Sequence, residues 1–182
     1  MNIAKTIPGT RSILTILAVV LLMSGCASAA VSTAMIPATM DVGTTHPHSV
    51  NVVVTGGAET TAMQPSRISN GAFKEAIVDS LNKSHAFAQV GETGTADYRL
   101  QVSIFSIEQP SIGFSMTVKM EAGWTLIQER TKEIVWRESV QSTYTASAGA
   151  AFSGAERIRL ATEGAARENI KQAIQNLSRV DI

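Results

Sequence analysis

Hydrophobic and polar positions alternate most strictly between residues 98 and 126. Tyr98, Leu100, Val102 and Ile104 point one way while Arg99, Gln101 and Ser103 point the other. Met116, Val118, Met120, Ala122, Trp124 and Leu126 then alternate with Ser115, Thr117, Lys119, Glu121, Gly123 and Thr125. A period of two is the signature of strands with one covered face. The phase slips at Ile104-Phe105, which predicts a bulge or bend. Pro110 and Gly113 mark a turn between the two strands, and Glu129-Arg130-Thr131-Lys132 marks the next. Beyond it Ile134, Trp136, Val140 and Tyr144 lie on one face of a further strand, a face that Glu138 and Ser142 share.

Two stretches carry the helical period instead. Phe73, Ala76, Ile77 and Leu81 recur between about Asn70 and Lys83, with Lys74, Glu75, Asp79 and Asn82 opposite and Asn70 placed to cap the start. A longer helix runs to about Leu177 after Ser153-Gly154-Ala155-Glu156, which has capping-box spacing. Its inner stripe reads Ala155, Ile158, Thr162, Ala165, Asn169, Ile170, Ala173, Ile174 and Leu177. Glu163 and Arg167, four apart, are spaced to pair on its outer side. Val50–Thr55 reads as a buried β-branched strand broken by Gly56-Gly57, and Phe87, Ala88 and Val90 as a short one. Together these predict an α+β domain over residues 50–182: a mainly antiparallel sheet of about five strands, with two helices packed on one face.

The start of the chain has a different character. Lys5 and Arg11 precede an eleven-residue apolar run, Ile13–Met23, followed by Ser24, Gly25 and Cys26, the one cysteine in 182 residues. The run fits a secretory signal core and is short of the roughly 20 residues that a membrane-spanning helix needs. Leu22-Met23-Ser24-Gly25-Cys26 resembles a bacterial lipobox, which implies removal of residues 1–25 and lipidation of Cys26. Ala27 in place of Asp implies sorting to the outer membrane. An ordinary signal peptide cut after Ala27-Ser28-Ala29 and an uncleaved membrane anchor are the other readings. Residues 26–49, rich in Ala, Ser and Thr with Pro37, Gly43 and Pro47, read as a lipidated cysteine and a flexible tether.

Charge adds an exclusion. The whole chain balances 15 basic against 15 acidic residues, and the part from Cys26 onward keeps 13 basic. It lacks the basic footprint that nucleic acid requires. Candidate chemistry is sparse. His46 and His48 flank Pro47, but no acidic or thiol cluster accompanies them, so no metal is expected. His85 follows the first helix. Gly56-Gly57 resembles half of a phosphate loop without the remainder of that motif. Glu108, Glu121, Glu129, Glu133 and Glu138 fall on strands or turns and read as solvent-facing. No catalytic residue and no cofactor is expected.

A resemblance covers most of residues 50–177. Ile68-Ser69-Asn70-Gly71-Ala72-Phe73, Ser80-Leu81, Ala86-Phe87, Asp97-Tyr98-Arg99-Leu100, Trp136, and Glu163-Gly164-Ala165-Ala166-Arg167-Glu168-Asn169-Ile170 resemble small Gram-negative outer-membrane lipoproteins of the YajG-like kind. The resemblance implies an accessory part of a cell-envelope complex, with a protein partner in the periplasm and the membrane held through the N-terminal lipid. The expected function is thus a non-enzymatic, partner-binding lipoprotein. The alternative is a lipid- or glycan-binding one, in which Met116, Met120, Trp124 and Trp136 line an apolar pocket beneath the sheet. The small-residue stretch Ala146–Gly154 with Phe152 is a candidate docking element.

Overall fold

The computed structural model describes residues 28–61, 64–91 and 95–182. Its strands are β1 (His46–Thr55), β2 (Phe87–Gly91), β3 (Tyr98–Glu108), β4 (Met116–Gln128) and β5 (Ile134–Ala146). The helices are α1 (Asn70–Ser84) and α2 (Gly154–Leu177), and a short 3-10 turn spans Ser32–Met35. The strands form one sheet in the order β2-β1-β3-β4-β5.

The sheet is mixed rather than mainly antiparallel. β1 pairs in parallel with both β2 and β3, while β3–β4 and β4–β5 are antiparallel. Alternation fixes which way side chains face but is silent about strand direction. The direction comes from the connections: α1 is the crossover that a parallel β1–β2 pair requires. β2 borders β1 from His46 to Asn51, and β3 borders its other edge from Val50 to Thr55. The chain therefore crosses β1 between Gly91 and Tyr98, where Asp97 clasps Ser49: the Asp97 carboxylate accepts from Ser49 N and Oγ, both at 2.8 Å.

One face of this sheet is the core. Val52, Leu100, Leu126 and Trp136 stand side by side across four strands, and Val54, Val102, Trp124 and Glu138 form the next row. Val52, Leu100, Val102, Trp124 and Leu126 are all buried. Burying one such side chain stabilises the fold by about 1.5–3 kcal/mol. Phe73, Ala76, Ile77 and Leu81 of α1 are buried above them, with Phe73 edge-on to Trp124 at 6.3 Å. The buried polar groups are matched between layers. Trp124 Nε1 donates to Asn169 Oδ1 (3.0 Å), Asn169 Nδ2 donates to the Val140 carbonyl (2.7 Å), and Ser142 Oγ donates to the Ala165 carbonyl (2.8 Å). Glu138, inward-facing in an apolar row, accepts from Asn176 Nδ2 at 2.8 Å.

Several local readings change. Ser69, rather than Asn70, caps α1 by accepting from Ala72 N, and Asn70 Oδ1 instead accepts from Gly57 N at 2.7 Å. Ser153 caps α2 as expected, but the Glu156 side chain turns to Arg159. Ala155 is exposed. A register shift between Leu126 and Ile127 leaves Ile134 exposed, so the inner row of β5 starts at Trp136. The expected bulge occurs between Ile104 and Ser106.

The largest correction concerns residues 28–45. The part of the assigned tether that is described does not hang free but lies as a strap across the helical layer. Met35 is fully buried, and Ala30 and Ser32 are buried with it. The strap starts where Ala30 N donates to the Arg67 carbonyl (3.2 Å) and Val31 N to Glu163 Oε1 (2.9 Å). Arg167 Nη1 then donates to the Ala34 carbonyl (2.9 Å), Lys83 Nζ to the Pro37 carbonyl (3.0 Å), and Gly43 N to Ser178 Oγ (3.0 Å). Glu163 and Arg167 thus serve the strap rather than each other. α2 is covered by the sheet on one side and by the strap and α1 on the other, so all six residues Ala161–Ala166 are buried.

Candidate functional site

Among the described residues, the helices and strap cover one sheet face and leave the other bare. Its surface is built from the outward residues of the alternating strands, among them Val53, Gln101, Phe105 and Thr125. Phe105, 62% exposed, lies across Gly123, whose missing side chain makes room for the ring. A shallow hollow of about 320 Å³ beside it is lined by Ser103, Thr125, Arg137 and Ser139.

A larger groove of about 770 Å³ lies toward the end of the sheet that carries the β4–β5 turn, lined by His48, Asp97, Tyr98, Arg99 and Glu129 among others. Its walls include four basic side chains, Lys74, Arg99, Arg130 and Lys132, against two acidic ones, Asp97 and Glu129. Both carboxylates are committed. Asp97 sits below the usual carboxylate range, first because the Ser49 backbone N–H donates to it, then through the Ser49 hydroxyl and nearby His48. Glu129 is lowered mainly by its hydrogen bond from Lys132, and Arg99 Nε stands 3.2 Å away on its other side. Basic side chains outnumber acidic ones around this groove. Its two carboxylates are held ionised by partners, the reverse of what a general acid needs.

The residues singled out in the sequence are dispersed. Cys26 and the segment 1–25 lie outside the described residues. His46 is buried against Phe87 at 5.0 Å, with Nε2 3.2 Å from the Leu177 carbonyl, whereas His48 meets Tyr98 edge-on at 5.2 Å. The two rings therefore serve different neighbours, and among the described residues no group of three or more His, Cys, Asp or Glu is placed to hold a metal. His85 is exposed at the end of α1, with left-handed backbone (φ 54°). Gly57 amide binds Asn70 rather than lining a phosphate loop. Met116, Met120 and Trp124 are buried core beneath the helices. Three of the four walls expected for an apolar pocket are therefore filled packing, while Trp136 is half-buried. No helix among the described residues is long and apolar enough to cross a membrane.

No protein-family model matches the chain, and no curated protein matches it. Solved structures do. Protein XCC0632 of Xanthomonas campestris, from family DUF330, is similar over 75% of this chain and 90% of its own, at 12% identity and a TM-score of 0.56. The hypothetical protein CT253 of Chlamydia trachomatis is similar over 72% of this chain and 98% of its own, at 10% identity and a TM-score of 0.52. Lipoprotein GNA1162 of Neisseria meningitidis is similar over 71% and 99%, at 12% identity and 0.42. The likenesses to XCC0632 and CT253 show a shared fold.

Sequence reasoning missed two features of the surface. Phe105 broke the alternation and was absorbed into the bulge, although Gly123 on the paired strand was the signal that a ring would lie over it. The basic groove was invisible because its residues come from four separated places: His48–Val53, Lys74 of α1, Thr95–Arg99 and Gln128–Lys132.

Proposed function

We propose that this protein is a non-enzymatic lipoprotein of the cell envelope. It is held in the outer membrane by lipid on Cys26, faces the periplasm, and serves as a partner-binding component of an envelope complex. The observation that carries the partner-binding reading is the bare sheet face. It offers exposed Val53 and Phe105, and the basic groove opens beside it at the end of the sheet, whereas the opposite face is filled by α1, α2 and the strap. Apolar side chains ringed by polar ones are the usual make-up of a protein contact. The excess of basic groups in the groove favours an acidic patch on the partner. The lipobox-like start and the YajG-like sequence pattern support the anchor and the compartment.

A photo-crosslinking side chain at exposed Gln101 on the bare face, in intact cells, is expected to capture one dominant protein. The same group at exposed Asp79 on α1 is the control. Equal or absent products from the two positions would sink the docking reading. Cys26→Ser is expected to abolish acyl labelling and change fractionation, and normal labelling of that variant would overturn the anchor.

A further inference from the structure

We infer that the end of the domain formed by the β3–β4 and β5–α2 connections is a membrane-facing end, whose apolar side chains enter the lipid surface to which Cys26 is attached. This rests on the lipid-anchor reading of Cys26 and adds an orientation and a second contact to it.

Three exposed apolar side chains stand on these two connections: Ile112 (91% exposed), Phe114 (88%) and Phe152 (106%). Met116 opens β4 opposite Ala146, which closes β5, so both connections leave the same end of the sheet. Met116 also lies against Gly154, at the start of α2. Neither connection carries a charge: residues 109–115 read Gln-Pro-Ser-Ile-Gly-Phe-Ser and residues 147–153 read Ser-Ala-Gly-Ala-Ala-Phe-Ser. The opposite end of the sheet differs, since the β4–β5 turn is Glu129-Arg130-Thr131-Lys132. Uncharged loops tipped with aromatic and aliphatic side chains can sink shallowly into the boundary between headgroups and acyl chains, where their backbone still reaches water.

The course of the chain identifies the occupant. Ser66 and Arg67 are neighbours. The Ser66 carbonyl accepts from Gln109 Nε2 (2.6 Å), at the root of the β3–β4 connection, and the Arg67 carbonyl accepts from Ala30 N (3.2 Å). Gln109 Nε2 also reaches Thr162 Oγ1 (2.8 Å), and the next residue of α2, Glu163, accepts from Val31 N. The strap therefore begins at the apolar end and runs away from it. Cys26 is four residues before Ala30, a reach of at most about 14 Å. A bilayer holding the lipid of Cys26 is kept beside Ile112, Phe114 and Phe152, rather than at the charged end or the bare sheet face.

The test uses the full, acylated protein. The thiol of a lipidated Cys26 is blocked, so a nitrobenzoxadiazole probe labels only an introduced cysteine. Phe114→Cys, Phe152→Cys and, at the far end, Thr131→Cys are placed in vesicles of phosphatidylethanolamine and phosphatidylglycerol. The expected result is a blue shift and several-fold brighter emission at positions 114 and 152, lost when doxyl-labelled lipid is added, with position 131 unchanged. Water-like emission at 114 and 152 in protein whose mass shows the acyl groups overturns this inference and leaves the anchor standing. A mass without acyl groups at Cys26 overturns both. Bright emission that the lipid quencher does not reduce, with disulfide-linked pairs of the Phe152→Cys protein, puts a second copy on this end and overturns the membrane contact.

Discussion

Gly164→Ala is the most exacting check on how α2 meets the sheet. A methyl group at that position would lie 2.2 Å from Cδ1 and 2.3 Å from Cγ of Tyr144. The ring belongs to β5, and the Arg167 guanidinium stands over it at 5.2 Å, so a simple swing aside would break that contact as well. Overpacking of this kind costs about 1–3 kcal/mol, while replacing a mid-helix glycine with alanine returns about 1 kcal/mol of helix propensity. The net expectation is a loss of up to about 2 kcal/mol, or a Tm lower by up to about 8 °C for a domain of this size. Gly71→Ala is the control: its methyl would meet nothing nearer than Ser69 Oγ at 3.9 Å, so it should be neutral or mildly stabilising. Urea denaturation of Gly164→Ala, Tyr144→Ala and the double variant closes a cycle. The double variant should be more stable than the sum of the single changes implies, by about 1 kcal/mol or more. A Gly164→Ala protein clearly more stable than the parent, or an additive cycle, would refute this packing.

The strap and the Asp97 clasp give two further expectations. Met35→Ala should destabilise the protein by about 2–5 kcal/mol in chemical denaturation, as for a buried side chain, whereas a true tether residue would change nothing. Asp97 should titrate below its ordinary value of 3.8 when followed by carboxyl chemical shifts. Because the folded value is the lower one, the stabilisation is present above the ordinary value and is lost as pH falls through the folded value. Ser49→Ala removes the hydroxyl and keeps the backbone N–H that lowers the value most, so it should move the midpoint part of the way back up, and an unmoved midpoint would remove the hydroxyl as a contributor.

How much of this was legible depended on whether a feature leaves a period. β4 was readable because its inner residues alternate without a break from Met116 to Leu126, and the first α1 stripe was readable because Phe73, Ala76, Ile77 and Leu81 are all core. The strap leaves no period. It is held by backbone amides and carbonyls and one buried methionine, so Ala/Ser/Thr-rich sequence read as linker. Glu163 and Arg167 have the spacing of a surface pair, but that spacing cannot show that a distant segment lies over the helix. Parallel pairing was missed for a different reason: it sits in the order strand–helix–strand, which was present in the sequence but outweighed by the two long antiparallel strands. The basic groove, assembled from four separated places along the chain, could be found only once the chain was folded.

The direction of the strap also bears on what happens when the protein is pulled. If lipid on Cys26 and a partner on the sheet pull against each other, as proposed, tension would enter the domain at Ala30 and run down the strap along its own axis. The contacts at Val31, Ala34, Pro37 and Gly43 then bear load together, in shear, rather than opening one after another as they would if the strap were peeled sideways. Forced opening is governed by the unfolding rate, so a chain laid in this direction makes a mechanically firm handle of a segment that has almost no secondary structure.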